Sequence, residues 1–324
     1  MCIRDRLWTD QLEPEQAVQV AGAKMGRLGA LARAGLRVPD GFTVTVQAWH
    51  EQFSEPVLAQ SMSRLAANPG AARALIAQTL ITTGVAEAIT TAYAELSLRR
   101  LEVNVPTAVR SSAVDEDGSR ASYAGMLDSY LGVCGTGRVL DAVRRCWASA
   151  FAVRAVAYRD RHDGGAAEGS PTPAMPMAVG VLELVPARAS GVAFSAHPVT
   201  GSPDRGVIEA SWGWGEAVVQ GLVTPDHVEV DIEDGRILRY DVAVKTVVSA
   251  FDHAAGRVVQ VPMPADLVHR RVLDEKEVAA VLDAVRRIEA LYRHPVDVEW
   301  VLPRDRRPGD PVVVVQARPI TVNR

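Results

Sequence analysis

The carboxy-terminal stretch VDVEWVLPRDRRPGDPVVVVQARPI, residues 296–320, leaves its chain little choice of conformation. Two valine-rich runs flank a loop carrying Pro303, Pro308, Gly309 and Pro311, and β-branched residues at that density favour strands. Successive side chains of a strand point to opposite faces. Asp297 and Glu299 therefore share one face of the first run, and Gln316 and Arg318 share one face of the second. Paired as a hairpin, the runs set carboxylates, an amide and a guanidinium on one polar surface while the valines turn to a core. Hard oxygen ligands suit Mg²⁺ and leave room for phosphate oxygens, whose charge an arginine neutralises. An ordinary cross-strand ion pair is the plainer alternative.

The same periodicities run through the chain. MAVGVLELV and GVAFS read as strands, and HVEVDIEDGRILRYDVAV as a hairpin turning at Asp234-Gly235. Residues 275–292 read as a helix with Val278, Val281, Val285, Ile288 and Leu291 inward. Upstream, GAKMGRLGALARAGLRVPDGF reads as loop, helix, stop and strand, with Gly35 at the cap and Pro39 closing the element. The alanine-rich span 69–100 reads as one or two helices interrupted at Gly84. Another helix is expected over 138–158, with Val139, Val143, Cys146, Trp147 and Ala150 on its apolar side. Residues 161–175 read as a loop. The fold class is α+β, with a helix-rich lobe over residues 1–200 and a second lobe over 201–324.

Composition narrows function mainly by exclusion. A net charge of -4 gives no general reason to expect nucleic acid or an anionic membrane as partner. Cys2, Cys134 and Cys146 have neither metal-ligand spacing nor a disulfide framework, which fits a reducing compartment. With no signal-peptide-like start and no apolar run of membrane-spanning length, the expected location is cytoplasmic.

Three further places put polar groups where packing alone would not ask for them. Lys24 in AGAKMG has Gly22 and Gly26 on either side, which let the backbone approach a ligand, and a helix N-terminus following it favours an anion; the plainer reading is a surface lysine ahead of a helix. In VRSSAVDEDGSRASYAGMLDSYLGV, residues 109–133, Arg110, Ser119, Ser122 and Gly125 can offer donors to phosphate oxygens. Asp115, Glu116 and Asp117 would then flank the anion, positioning Mg²⁺ or the arginine. A serine-rich turn between elements is the alternative. In VIEASWGWGEAVVQG, Glu209 ends a strand and Gly213 and Gly215 permit a tight turn into a helix near Glu216. Trp212 and Trp214 would serve either a ligand or the core. His197 and His294 each precede proline and read as structural.

Five segments together resemble the ATP-binding domain shared by phosphoenolpyruvate synthase, pyruvate phosphate dikinase and rifampin phosphotransferase. They are GAKMGRLGALARAGLRVPDGF, VRSSAVDEDGSRASYAGMLDSYLGV, SGVAFSAHPVTG, VIEASWGWGEAVVQGLVTPD and the carboxy-terminal pair, in family order from residue 22 to 321. The resemblance implies an ATP-grasp-like fold in which two lobes clasp the nucleotide. It implies that Lys24, Arg110 and Arg318 act on the phosphates, under a loop containing Ser119, Ser122 and Gly125. Adenine would lie along Glu183, Leu184 and Val185, with Glu209 facing the nucleotide. Glu299 would be the main metal ligand, helped by Gln316, with Asp297 a less direct one. The chain departs from the family at Ala23 and Met25 around the lysine, at Leu182 where glutamine is frequent, and at Tyr123 and Met126 in the loop.

ATP and Mg²⁺ are thus the implied cofactors. In the family a β-phosphoryl group passes to a histidine, leaving AMP and phosphate. None of the seven histidines here lies in the Thr-Ser-His-type motif of that acceptor. A separate protein carrying the phosphohistidine domain is the expected partner. A small-molecule acceptor in a self-contained kinase or ligase, a regulatory nucleotide-binding subunit, and a cut chain are the alternatives.

Overall fold

The computed structural model describes residues 6–11, 17–65, 68–114, 117–118, 121–122, 127–152, 175–215, 218, 221, 223–252 and 255–320. The chain is a mixed α/β protein with two principal sheets and several helices. It divides into two compact units, Met1–Ala30 with Asp40–Leu184, and Leu31–Pro39 with Val185–Arg324.

In chain order the first unit contains β1 (Arg6–Trp8), the start of α1 (Ala17–Arg33) and β2 (Gly41–Val44). There follow α2 (Val46–Phe53), α3 (Pro56–Arg64), α4 (Pro69–Gln78), α5 (Thr83–Arg99) and β3 (Thr107–Ala113). A two-residue ladder of β4 (Asp117–Gly118) and β5 (Ala121–Ser122) precedes β6 (Ser129–Val133), α6 (Thr136–Ser149) and β7 (Met177–Glu183). The main sheet has the order β1-β2-β7-β3-β6. Val109 and Ala113 of β3 and Val179 and Val181 of β7 share an apolar core with Trp49, Phe53, Tyr93 and Trp147. Strand alternation turns Arg110, Ser112 and Gly180 to the other face, where Met25 lies against Gly180.

Two sequence expectations shift here. The break in the alanine-rich span falls at residues 79–82, and Gly84 lies inside the first turn of α5. The break comes early because Thr79 leaves helical geometry (ψ 135°) and Gln52 takes up the exposed backbone, accepting from Thr82 N–H and donating to the Leu80 carbonyl. Arg110, Ser111 and Ser112 belong to a strand paired on both sides rather than to a turn. The helix expected over 138–158 stops at Ser149, with Ala150 as its cap; residues 153–158, and the loop expected at 161–175 apart from Met175, lie outside the described residues.

The second unit holds β8 (Ala187–Phe194), β9 (Arg205–Trp212), β10 (Asp226–Asp231), β11 (Ile237–Asp241), β12 (Val247–Asp252), β13 (Arg257–Pro262), α7 (Glu275–Tyr292), β14 (Val296–Pro303) and β15 (Val313–Pro319). Six strands form one sheet in the order β11-β10-β9-β8-β14-β15, and β12-β13 form a separate hairpin. Strand β8 is hydrogen-bonded to both β9 and β14, so it belongs to this unit. The division consequently falls at 184/185 rather than near residue 200. A capping box at Asp274 and Glu277 starts α7. Its Val278, Val281, Val285 and Ile288 pack with Val296, Val298, Trp300 and Val314. Leu291, expected inward, is 45% exposed in the last turn. At the end of α1, Leu36 N–H bonds to the Leu31 carbonyl and Gly35 N–H to the Ala32 carbonyl, the paired bonds of a Schellman cap.

Candidate functional site

The polar face of the six-stranded sheet follows directly from its register. Asp297 stands opposite Arg318, and Glu299 opposite Gln316, as the spacing predicts. A bulge between Glu299 and Trp300 skips Val315. It lets Val314 and Ala317 both reach the core while Gln316 and Arg318 stay on the polar side. Glu299 is partly exposed and lies opposite Val192 of β8, which in turn lies opposite Glu209 of β9. Glu209, Glu299 and Gln316 therefore occupy one row across the sheet. Glu209 sits in mid-strand rather than at the strand end, because β9 continues to Trp212.

Asp297 and Arg318 meet each other. Both Nε and a terminal nitrogen of Arg318 lie 2.7 Å from Asp297 Oδ2, with the side chains 35% and 9% exposed respectively. The plainer cross-strand ion pair is thus present in the 297/318 row. The neighbouring row sets the Glu299 carboxylate across from the Gln316 amide. Among the described residues no group of three or more His, Cys, Asp or Glu side chains gathers to hold a metal ion. Mg²⁺ is ordinarily held by one or two carboxylates together with phosphate oxygens and water, so the Glu299–Gln316 row fits that ion's donor chemistry. Asp297 fits less well, since its carboxylate is engaged by the guanidinium.

Alternation also brings up His227, which sequence reasoning passed over although HVEVD places it beside Glu229 on one face. Its Nδ1 is 3.9 Å from Glu209 and its Nε2 3.7 Å from Glu229. Another pair was hidden entirely. Lys245 and Asp226 are both fully buried, 2.5 Å apart. Asp226 also accepts from the backbone of Ala243 and Val272 and from the Tyr240 hydroxyl.

In the first unit the lysine motif has a defined backbone. Gly22 interrupts α1 at φ 72°, ψ 171°. A side chain there would drive its Cβ to 1.9 Å from the Ser112 carbonyl oxygen, so the close approach requires glycine. Ser112 Oγ donates to the Ala21 carbonyl and accepts from Met25 N–H, capping the resumed helix from the neighbouring strand. Lys24 lies in that first turn, partly exposed, with Nζ 3.5 Å from the Ser111 carbonyl. Arg110, partly exposed, is on the same sheet face as Ser112. A lysine, an arginine and a helix N-terminus are thus gathered on one face, an arrangement suited to an anion.

Of the loop residues, Ser119 and Gly125 lie outside the described residues. Ser122 is placed only by its backbone pairing with Asp117. On the adenine-side stretch, Glu183 has its carboxylate engaged within the first unit: Oε1 accepts from Asp40 N–H and Oε2 is 2.6 Å from Arg100 Nε. Leu184 N–H bonds to the Pro106 carbonyl. The Val185 carbonyl accepts from the Trp214 indole at 2.8 Å. Trp212 and Trp214 are 8% and 6% exposed, so both are anchors in the protein interior. His197 is structural as expected: its Nδ1 accepts from the backbone N–H groups of Val199 and Thr200.

Residues 18–324 match the family described as pyruvate phosphate dikinase, AMP/ATP-binding domain. A probable phosphoenolpyruvate synthase of Methanothermobacter thermautotrophicus is 38% identical over 94% of this chain and 44% of its own length. Phosphoenolpyruvate synthase of Pyrococcus furiosus is 33% identical over 99% of this chain and 44% of its own. Rifampicin phosphotransferase of Streptomyces sviceus is 36% identical over 95% and 35%. The chain therefore spans less than half the length of these relatives. A solved structure, Ca. Korarchaeum cryptofilum ACD1 in complex with coenzyme A, covers 72% of this chain and 80% of that one at 12% identity, with a TM-score of 0.29, too low to bear on fold or ligand. With the family matched over nearly all of its length, the chain belongs to the pyruvate phosphate dikinase AMP/ATP-binding domain family.

Proposed function

We propose that this chain binds Mg²⁺-ATP and carries out the ATP-dependent part of a phosphoryl transfer, with each unit serving as one lobe of an ATP-grasp-like fold. The observation that carries this reading is the polar face of the second unit's sheet, where Glu299 and Gln316 stand opposed beside the Asp297–Arg318 pair. Family membership supports the same chemistry. Bound Mg²⁺ would neutralise charge on the transferring phosphoryl group. Glu299 would hold the ion through a carboxylate oxygen and Gln316 through its amide oxygen. Lys24 and Arg110 take phosphate oxygens on the first unit's cationic face, and Arg318 presents its planar fork of donors on the second unit's sheet. Catalysis of this kind is positioning and electrostatic stabilisation, so no general base is required of these residues.

The acceptor in this reading is a histidine carried by a partner protein, and its own imidazole is the nucleophile. The test is incubation with ATP and Mg²⁺, followed by measurement of AMP and phosphate with and without a protein bearing the phosphohistidine domain. Release of AMP and phosphate that depends on that protein is expected. Product formed from a small metabolite with no second protein would replace this reading with a self-contained kinase or ligase. Binding without release under any acceptor would reduce the chain to a nucleotide-binding subunit.

A further inference from the structure

The WGWG turn is more tightly built than a connection between elements requires. Gly213 has φ 72°, and its N–H donates to the Arg188 carbonyl while its own carbonyl accepts from Ser190 Oγ. A Cβ at Gly213 would come within 2.4 Å of the Ser249 carbonyl oxygen, so the backbone is pressed between β8 and β12. Held on these sides, the turn delivers Trp214 to one place. Its indole, 6% exposed, donates from Nε1 to the Val185 carbonyl at 2.8 Å.

Arg304 completes the arrangement. Its backbone N–H donates to the Pro186 carbonyl, its Nε donates to the Ala187 carbonyl, and its guanidinium lies over the Trp214 ring at 5.7 Å. Three successive carbonyls, at 185, 186 and 187, are thus oriented by two side chains and one backbone amide of the second unit. A hydrophobic anchor would need only the ring. The indole N–H spent on a backbone carbonyl is a means of fixing a peptide plane.

We infer that Trp214 is a positioning residue for base recognition: it acts through the Val185 carbonyl, setting the backbone at the stretch Glu183, Leu184 and Val185 where adenine would lie. This rests on the nucleotide reading above. Trp214 does not touch the nucleotide. It restricts the rotation about Val185 that would otherwise spoil the direction of a backbone donor or acceptor facing the base.

The test uses the full chain and Trp214→Phe, which keeps an aromatic ring and deletes the donor, with Trp214→Leu as a second variant removing ring and donor together. Affinities for adenosine, ATP and inorganic tripolyphosphate are measured by calorimetry. Trp214→Phe should weaken adenosine and ATP alike, by about tenfold, the scale of one lost buried hydrogen bond, and leave tripolyphosphate unchanged. Backbone amide exchange at Val185 and Ala187 should quicken in the same variant without nucleotide. Equal adenosine affinity in wild type and Trp214→Phe overturns the role of Trp214 and leaves the nucleotide reading standing. Wild-type protein that binds tripolyphosphate but no adenosine overturns both. A uniform loss for all three ligands would mark Trp214 as general packing and also overturn the inference.

Discussion

Two ion pairs in the second unit use the same chemistry to opposite ends. Asp226 and Lys245 are both 0% exposed, and the carboxylate accepts from two backbone amides and a tyrosine as well as the ammonium. Asp297 and Arg318 are 9% and 35% exposed and sit on the sheet face opposite α7, next to the Glu299–Gln316 row. Saturation marks the first pair as architecture: it ties residues 243, 245 and 272 to the foot of β10, and a ligand would have to displace bonds that nothing else could replace. On the reading proposed above the second is exchangeable: a partly exposed guanidinium can turn from carboxylate to phosphate at little desolvation cost. Charge alone does not separate the two pairs; the exposure of the cation does.

The sharpest way to break this contrast is Lys245→Met. It would leave the Asp226 carboxylate buried without its cation, which should cost about 3–5 kcal/mol of stability. Urea unfolding of wild type and variant measures it, and a loss under about 1 kcal/mol would show that the pair is not architectural. At the proposed nucleotide-binding residues the effects should appear in chemistry instead. Glu299→Ala should lower Mg²⁺-dependent ATP turnover by roughly 10²-fold or more with the fold intact. Unchanged turnover would sink the metal assignment. Next in size, Arg318→Met and Arg110→Met should each slow phosphoryl transfer about 10²-fold, of order 3 kcal/mol, with adenosine affinity hardly moved. If adenosine and ATP affinities fell together, these arginines would be structural and the contrast would collapse.

How much of this was legible in the sequence depends on whether the deciding contact is local. The β14–β15 row pairing, the β10–β11 hairpin with Gly235 at φ 82°, and the α7 boundaries at Glu275 and Tyr292 all follow from period and turn chemistry. Strand β3 was not legible. TAVRSSA has little β-branched content, and its strand state is imposed by pairing with β6 and β7 on either side. The Asp226–Lys245 pair was hidden for the same reason: periodicity identifies faces, but it cannot say that two charges separated by several turns will meet in a core. The candidate site was legible because its residues lie two apart on strands, whereas the Trp214–Val185 bond joins residues 29 positions apart. Asp297 shows the limit from the other side. Its face follows from the strand period, and its partner is Arg318 on the paired strand, the arginine that the resemblance assigns to phosphate.

The smallest expected effect is a dependence of stability on pH in the alkaline range. Burial, with a further contribution from the Asp226 charge, raises the Tyr240 phenol to about 12 despite the opposing hydrogen bond from Leu273 N–H. The ordinary tyrosine value in an unfolded chain is about 10. Below that, both states keep the proton and the group adds no slope. Above it, the unfolded chain releases the proton while the folded protein retains it, so the unfolded state binds fewer protons and stability falls as pH rises. The loss should run from about pH 10 to about 12 and then level off for this group. Tyr130 in the first unit, raised to about 12 chiefly by burial, supplies a similar slope from a region without the Asp226 pair. Unfolding free energies of wild type, Tyr240→Phe and Tyr130→Phe across pH 8 to 11.5 would separate the two. Each variant should flatten part of the alkaline decline, and each should also weaken the protein at pH 8, Tyr240→Phe through loss of its bond to Asp226 and Tyr130→Phe through loss of its bond to Asp128. A Tyr240→Phe curve parallel to wild type above pH 10 would show that the hydroxyl titrates as if solvent-exposed, and the saturated environment that sets Asp226 apart from Asp297 would no longer stand.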